Sequence, residues 1–202
     1  MIPVRAARAA DVEPLAVHLA RAFLEDPVAR YLFPDPLRRA ECLPRFFTLQ
    51  LEHNYLHRGE VLTTDSLVAA SLWMPPRPTP PRLRDRFAHL RFAPALGERL
   101  GVTRRLTQLL ESNHPVVPHY YLGTIGTDPD HQGRGIGGAL LAPVLARCDE
   151  EGLPAYLECS REENVAFYGR RGFSVERQID APEGGPPLWL MWREPRREPD
   201  LS

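Results

Sequence analysis

The sequence predicts one α/β domain, a mixed sheet covered by helices. Three observations point there. Strand-period and helix-period patterns follow one another in the order strand, two helices, hairpin, helix, then strand–helix–strand–helix–strand–strand. Four glycines fall within the six residues Gly133 to Gly138, between a strand pattern and an amphipathic helix. The chain of 202 residues suits one domain with a full core better than two. The expected domain runs from residue 1 to 194, with a polar tail over 195–202.

Val4 to Ala7 reads as a short first strand. Asp11 suits the N-cap of the helix that follows, whose inner face carries Leu15, Leu19, Ala22 and Phe23. Glu25-Asp26-Pro27 ends that helix. A second helical stretch runs from about Pro36 to Leu56 and buries Phe46, Phe47 and Leu51. Glu60–Thr64 and Leu67–Met74 form a hairpin turning at Asp65-Ser66. Pro75 to Pro81 holds five prolines and must be extended. Leu83 to Ser112 is mostly helical, broken near Pro94 and Gly97.

His119 to Thr127 is a strand rich in Tyr, Leu and Ile. Gly135 to Glu151 is a helix facing Ile136, Leu140, Leu141, Val144, Leu145 and Cys148 inward, with Pro143 inside it. Ala155–Cys159 is a strand. Asn164–Arg171 is a short helix closed by Gly172, which suits a left-handed position. Phe173–Ile179 and Leu188–Arg193 are the last strands, joined through the Pro182–Pro187 turn.

Composition excludes several classes. With 25 basic residues, all Arg, against 26 acidic ones, no global charge favours nucleic acid or a membrane surface. Cys42, Cys148 and Cys159 lack metal or disulfide spacing and suit a reducing compartment. No apolar run approaches a membrane span of roughly 18 residues, and the N-terminus lacks the apolar core of a signal peptide. A cytoplasmic protein without a metal, monomeric or homodimeric, is expected.

The chemistry should reside in Thr127-Asp128-Pro129-Asp130-His131-Gln132-Gly133-Arg134-Gly135-Ile136-Gly137-Gly138. Glycines here let a ligand approach the backbone, and the free amides and dipole of the following helix suit a pyrophosphate. The same glycines satisfy the dinucleotide fingerprint, with Glu158 about 20 residues on. That motif normally opens a doubly wound sheet, and too little chain follows here to complete one. No Gly-Lys-Ser/Thr follows the loop, so it is not a Walker motif.

Gln132-Gly133-Arg134-Gly135-Ile136-Gly137 resembles the Q/R-x-x-G-x-G/A acetyl-CoA loop of the GNAT N-acetyltransferase superfamily. Asn164-Val165-Ala166-Phe167-Tyr168-Gly169-Arg170-Arg171-Gly172-Phe173 resembles its second signature. The two stand in the family's order and separation, and the resemblance covers about Tyr120 to Arg193. Within the superfamily, residues 154–160 and 182–186 most resemble the puromycin N-acetyltransferases. The N-terminal half, which usually builds the acceptor site, does so only loosely, near Phe23–Asp26 and at Trp73.

The resemblance implies a sheet splayed between the fourth and fifth strands, with pantetheine in the gap. It places the backbones of Ile125, Gly126 and Thr127 along the pantetheine, with the amide near Ile125 polarising the acetyl carbonyl. Gln132, Gly133, Arg134, Gly135, Ile136, Gly137 and Gly138 would hold the pyrophosphate, and Asn164 would contact the cofactor. Tyr168 sits where the family places the acid that protonates the thiolate; otherwise it is packing beside Phe167. Glu158 is the best candidate base for the incoming ammonium, or else a solvated or ion-paired strand residue; Asp26, Glu60 and His119 are substitutes. His18, His53 and His57 read as structural, and Cys159 reads as core. Phe23, Tyr31, Phe33, Trp73 and Trp189 could line an acceptor pocket.

The implied reaction is direct acetyl transfer from acetyl-CoA to a primary amine in a ternary complex. The acceptor is read as a small antibiotic-like molecule or metabolite. An acyl-CoA-binding protein without turnover, or an enzyme acting on a peptide or protein amine, remains the alternative.

Overall fold

The computed structural model describes residues 2–76 and 99–196. Seven strands form one sheet in the order β1-β2-β3-β4-β5-β7-β6. They are β1 (Val4–Ala6), β2 (Glu60–Thr64), β3 (Ala69–Met74), β4 (Tyr120–Thr127), β5 (Ala155–Cys159), β6 (Ser174–Asp180) and β7 (Pro187–Arg193). Every neighbouring pair is antiparallel except β4–β5, the parallel junction. Helices α1 (Val12–Phe23), α2 (Pro27–Leu32) and α3 (Pro36–Leu49) lie between β1 and β2. A π-helical segment (Gln50–Tyr55) and α4 (Leu56–Arg58) continue α3. Then come α5 (Leu100–Asn113), α6 (Ile136–Glu151) and α7 (Glu162–Gly169). Among the described residues no helix is long and apolar enough to cross a membrane.

Two apolar clusters sandwich the sheet. On one face α6 lays Leu140, Leu141, Val144 and Cys148, all fully buried, against Leu122, Leu157, Cys159, Tyr168 and Met191. All six inward residues expected on this helix are buried. Burying each Leu or Val contributes about 1.5–3 kcal/mol. On the other face α1 and α3 bring Leu15, Leu19, Leu43, Phe47 and Leu51 against Val61, Ala70 and Leu72.

Three local expectations are corrected. Asp11 occupies the N-cap position of α1, but its carboxylate does not cap that helix. It turns back to accept from the Arg8 amide at 2.8 Å and the Arg5 guanidinium at 2.7 Å. The working cap is Asp26, whose Oδ1 accepts from Val28 N and Ala29 N at the start of α2, with Pro27 at the first helical position. The hairpin's second strand begins at Ala69, because Leu67 adopts φ +59° and takes the turn to Val68. The stretch after α3 is wound as a π-helix over Gln50–Tyr55, which still buries Leu51 and Tyr55. The extended reading of residues 77–81, the helical reading of 83–98 and the tail beyond 196 lie outside the described residues.

Candidate active site

The parallel junction is only partly closed. β4 and β5 pair at Tyr120–Ala155, Tyr121–Tyr156 and Leu122–Leu157, and no further. β4 continues beside β3 to Thr127, and β5 continues beside β7 to Cys159. The two strands therefore part beyond Leu122, as expected between the fourth and fifth strands.

A bulge sets which amides face the opening. Leu72 pairs with Thr124 and Trp73 with Leu122, so Gly123 is the extra residue. Before it, Tyr120 N points toward β5, donating to Pro154 O at 2.9 Å. After it, Asp128 N donates to Val68 O on the β3 side at 2.8 Å. Ladder alternation then turns Gly126 and Thr124 toward β3, and the N–H and C=O of Ile125 and Thr127 into the gap. Gly123 carries no side chain for a second reason. A Cβ there would overlap the Tyr55 hydroxyl and crowd the Tyr121 ring at 3.3 Å. Gly126 serves packing: a Cβ there would stand 2.9 Å from Leu19 and 3.0 Å from Phe23 on α1.

The glycine loop follows directly. Gly133 and Gly135 are left-handed, at φ +74° and +80°, and a Cβ on either would meet nothing within 4 Å. Backbone conformation, rather than crowding, requires glycine at both. Gly135 is the N-cap of α6, and Ile136, Gly137 and Gly138 are its first residues, whose amides lack intrahelical acceptors. Gln132 lies on the surface and donates from Nε2 to Thr127 O at 3.1 Å. Arg134 donates to Asp130 O at 3.1 Å. Gly137 lies against the Phe167 ring, and a Cβ on Gly138 would overlap the Arg171 guanidinium. That guanidinium stacks on Phe167, 3.8 Å from the ring centroid.

Asp128 anchors the loop, a role the sequence did not reveal. Its side chain is fully buried and accepts from Asp130 N at 3.0 Å; His18 Nδ1 lies at 2.7 Å and Arg21 at 2.9 Å. Burial pushes this carboxyl up, but the His18 and Asp130 hydrogen bonds and the Arg21 charge outweigh it, leaving it below the usual carboxylate range. A depressed folded value adds stability above the unfolded value, near 3.9. That contribution is lost as pH falls through the folded value. Asp128→Asn should therefore cost about 2 kcal/mol at neutral pH, and the deficit should shrink below about pH 4. Denaturant unfolding of both proteins at several pH values measures it.

Tyr168 and Glu158 approach the opening from opposite faces of the sheet. Tyr168 is buried in the α6-side cluster with Cys159 and Phe173. Burial, and then the Cys159 and Asp26 groups, push its phenol up, so it holds its proton. Asn164, expected at the cofactor, is exposed near the start of α7. Glu158 lies on the other face, its side chain only 8% exposed. Three phenols stand around it. Tyr121, Tyr55 and Tyr156 are pushed up by burial and next by the Glu158 charge. Cys159 is buried, with its Sγ 3.0 Å from Arg161 O and its thiol pushed up by burial, as a core residue should be.

The substitute bases are engaged elsewhere. Asp26 caps α2 and accepts from Ser160 Oγ at 2.5 Å, Glu60 pairs with Arg147, and His119 Nδ1 bonds Val117 O at 2.7 Å. A cavity of about 370 Å³ opens on Glu158. Its walls include Phe23, Phe33, Phe46, Phe47, Leu106, Leu110 and Leu188, with Tyr55, Tyr121, Gly123 and Asp26 toward the sheet. Phe23 and Phe33 are therefore pocket residues as expected. Trp73 is core, Tyr31 donates to Pro182 O, and Trp189 packs against the α6-side cluster.

Comparison with known proteins agrees with this geometry. The family model for the Acetyltransferase (GNAT) family matches residues 86–173. An uncharacterized N-acetyltransferase of Schizosaccharomyces pombe is 30% identical over 205 residues, spanning 94% of this chain and 82% of that protein. The chain belongs to the GNAT acetyltransferase family. Among solved structures, this GNAT protein is similar to a Corynebacterium glutamicum protein described as histone acetyltransferase HPA2 and related acetyltransferase. That likeness has a TM-score of 0.72, 27% identity and full coverage of both chains. The polyamine N-acetyltransferase of Drosophila melanogaster shares the GNAT fold at a TM-score of 0.59 and 17% identity, over 96% of this chain and 100% of that one.

Proposed function

We propose that this enzyme moves the acetyl group of acetyl-CoA to the primary amine of a small, largely apolar molecule, by direct attack in a ternary complex. The observation that carries the reading is the junction itself. Amides of Ile125 and Thr127 that lack strand partners face a gap, and a mostly apolar cavity meets that gap at a carboxylate.

Acetyl-CoA, the usual co-substrate of the family, supplies the activated thioester. The Ile125 and Thr127 backbones hold the pantetheine arm, and the Ile125 amide donates toward the acetyl oxygen as charge develops on it. The Gln132–Gly138 loop, through its backbone amides, holds the pyrophosphate. Asn164 takes the cofactor contact that the family resemblance implies. Glu158 removes a proton from the incoming ammonium, and Tyr168 keeps a proton on the opposite face for the departing thiolate.

The cavity supports the acceptor class. Its volume falls in the small-molecule range of roughly 300–1,000 Å³. Its described ionisable lining consists of Asp26, Glu158 and the Tyr55 and Tyr121 phenols, with no cationic side chain. Such walls favour one ammonium on an apolar body over a chain of basic residues. The resemblance of residues 154–160 and 182–186 to the puromycin N-acetyltransferases puts puromycin early among amines to try.

The first test is thermal unfolding with acetyl-CoA, CoA, NAD or NADP. A ligand bound only by the folded state stabilises it by about 2.7 kcal/mol at a hundredfold excess over its Kd. Stabilisation by both CoA forms and not by the nicotinamides is the expected result. Stabilisation by NAD or NADP alone would overturn the assignment of the glycine loop. Amine-dependent thiol release then separates turnover from binding without turnover.

A further inference from the structure

A base that takes a proton in every turnover must also release it, and Glu158, with three tyrosines around it, opens only on the cavity that the acceptor fills. One neighbour connects it outward by another way. His114, at the C-terminal cap of α5, places Nδ1 3.9 Å from Glu158 Oε1, and its side chain is 35% exposed against 8% for Glu158. The other ring nitrogen of His114 lies 3.1 Å from Nε2 of His119, whose Nδ1 lies 2.7 Å from Val117 O.

Hydrogen-bond polarity follows along this row. A carbonyl oxygen only accepts, so His119 Nδ1 carries a hydrogen. Burial holds His119 below the usual histidine range, so it is neutral and its Nε2 offers a lone pair. His114 Nε2 must therefore donate to it. That leaves His114 Nδ1 turned toward a carboxylate oxygen 3.9 Å away, an ion-pair separation that a bridging water spans and a direct hydrogen bond does not.

We infer that His114 is the proton outlet of Glu158: it takes protons from the carboxylate and hands them to water. This rests on the reading of Glu158 as the base. His114 does not line the cavity and acts only through Glu158. In each turnover an N–H bond of the ammonium breaks and an O–H bond forms at Glu158. That proton then passes to His114, and one proton leaves the ring for water, so Glu158 is a carboxylate again. The second proton the nitrogen loses balances the proton taken up by the departing thiolate, and no electrons are exchanged.

The row is held by aromatic packing. His114 meets Tyr121 and Tyr156 edge-on, at 4.9 and 5.2 Å between centroids, and His119 lies 5.7 Å from Trp192 of β7. The titratable and charged groups facing the pair are Tyr121 of β4, Tyr156 of β5, Tyr55 with Arg58 behind it, and His119. Glu176 and Arg177 of β6 lie beyond Tyr156, and Arg177 donates to Asn113 at 3.0 Å.

Two measurements on the full chain test the link. Ring-nitrogen NMR titration without substrate compares the wild type with Glu158→Gln. Removing the anion should displace the His114 ring-nitrogen curve. Superimposable curves would sink the link. Kinetics come second, with thermal unfolding to confirm that each variant folds. His114→Gln should lower kcat at neutral pH about tenfold while KM for the amine stays within about threefold. It should also change the shape of the acid limb of the rate profile, because the group that exchanges the Glu158 proton is gone. Added imidazole should partly restore His114→Ala. A wild-type profile in His114→Gln with no imidazole rescue would overturn the outlet. NMR coupling in a protein that acetylates no amine would instead refute the acetyl-transfer reading and leave the link between the two side chains standing.

Discussion

Glu158→Gln should lower kcat by about 10²–10⁴-fold, the range typical of a positioned proton acceptor. Gln preserves the shape of the side chain and its place in β5 between Leu157 and Cys159, both nearly fully buried. Of the two carboxylates that line the cavity among the described residues, it removes the one not committed to a helix cap and to Ser160. Acetyl-CoA should stabilise the variant as it does the wild type, since the loop and the gap amides are untouched. The deficit should narrow as pH rises and more acceptor arrives already deprotonated. Steady-state rates over a pH series measure both. Retention of more than about a third of kcat would remove Glu158 from the mechanism and return attention to Asp26 and His119.

Tyr168→Phe should lower kcat by about 10²-fold with little change in stability. The ring packs edge-on against Phe173, 6.0 Å between centroids, and Phe keeps that contact. The missing hydroxyl is what matters, because without it the thiolate must wait for a proton from water. Burial pushes the phenol above its usual value near 10. An acid fails as pH rises through its own titration, so Tyr168 should impose no fall in wild-type kcat up to about pH 10. Wild-type kinetics in Tyr168→Phe would make the residue a packing group, the role Phe167 could also fill.

The parts legible in the sequence are those fixed by local rules. Gly172 was given a left-handed position because glycine alone takes such angles cheaply, and its φ is +91°. The six inward positions of α6 followed from helical period. Residues 155–159 stood out as a short apolar run and form β5 with those bounds. The splay came through resemblance, and the pairing that stops at Leu122 agrees with it.

What escaped depends on registers no local pattern encodes. Tyr55 reaches Gly123 only because the π-helical segment rotates it there, and that winding has no composition signal. Asp128 looked like a turn residue until α1 delivered His18 and Arg21 to it, 110 and 107 positions away along the chain. His114 lies 44 residues before Glu158 in sequence, and only the meeting of α5 with β5 puts the two side by side. Asp11 was read as a cap because it directly precedes a helix. Arg5, a strand neighbour, draws the Asp11 carboxylate away.

The bulge at Gly123 turns the slot into a matter of counting. Up to Leu122 the strand is in step with β5; from Thr124 it is in step with β3 and out of step with β5. One extra residue separates the two halves. A chain shortened by that residue would keep every side chain thought to take part in catalysis. The Ile125 and Thr127 amides would still face away from β3, because their pairing with β3 fixes that direction, but the kink that turns β4 from β5 would be gone and the fifth strand could zip along the fourth. The opening is thus written into the length of β4, and point substitutions that spare the count can tune the site without closing it.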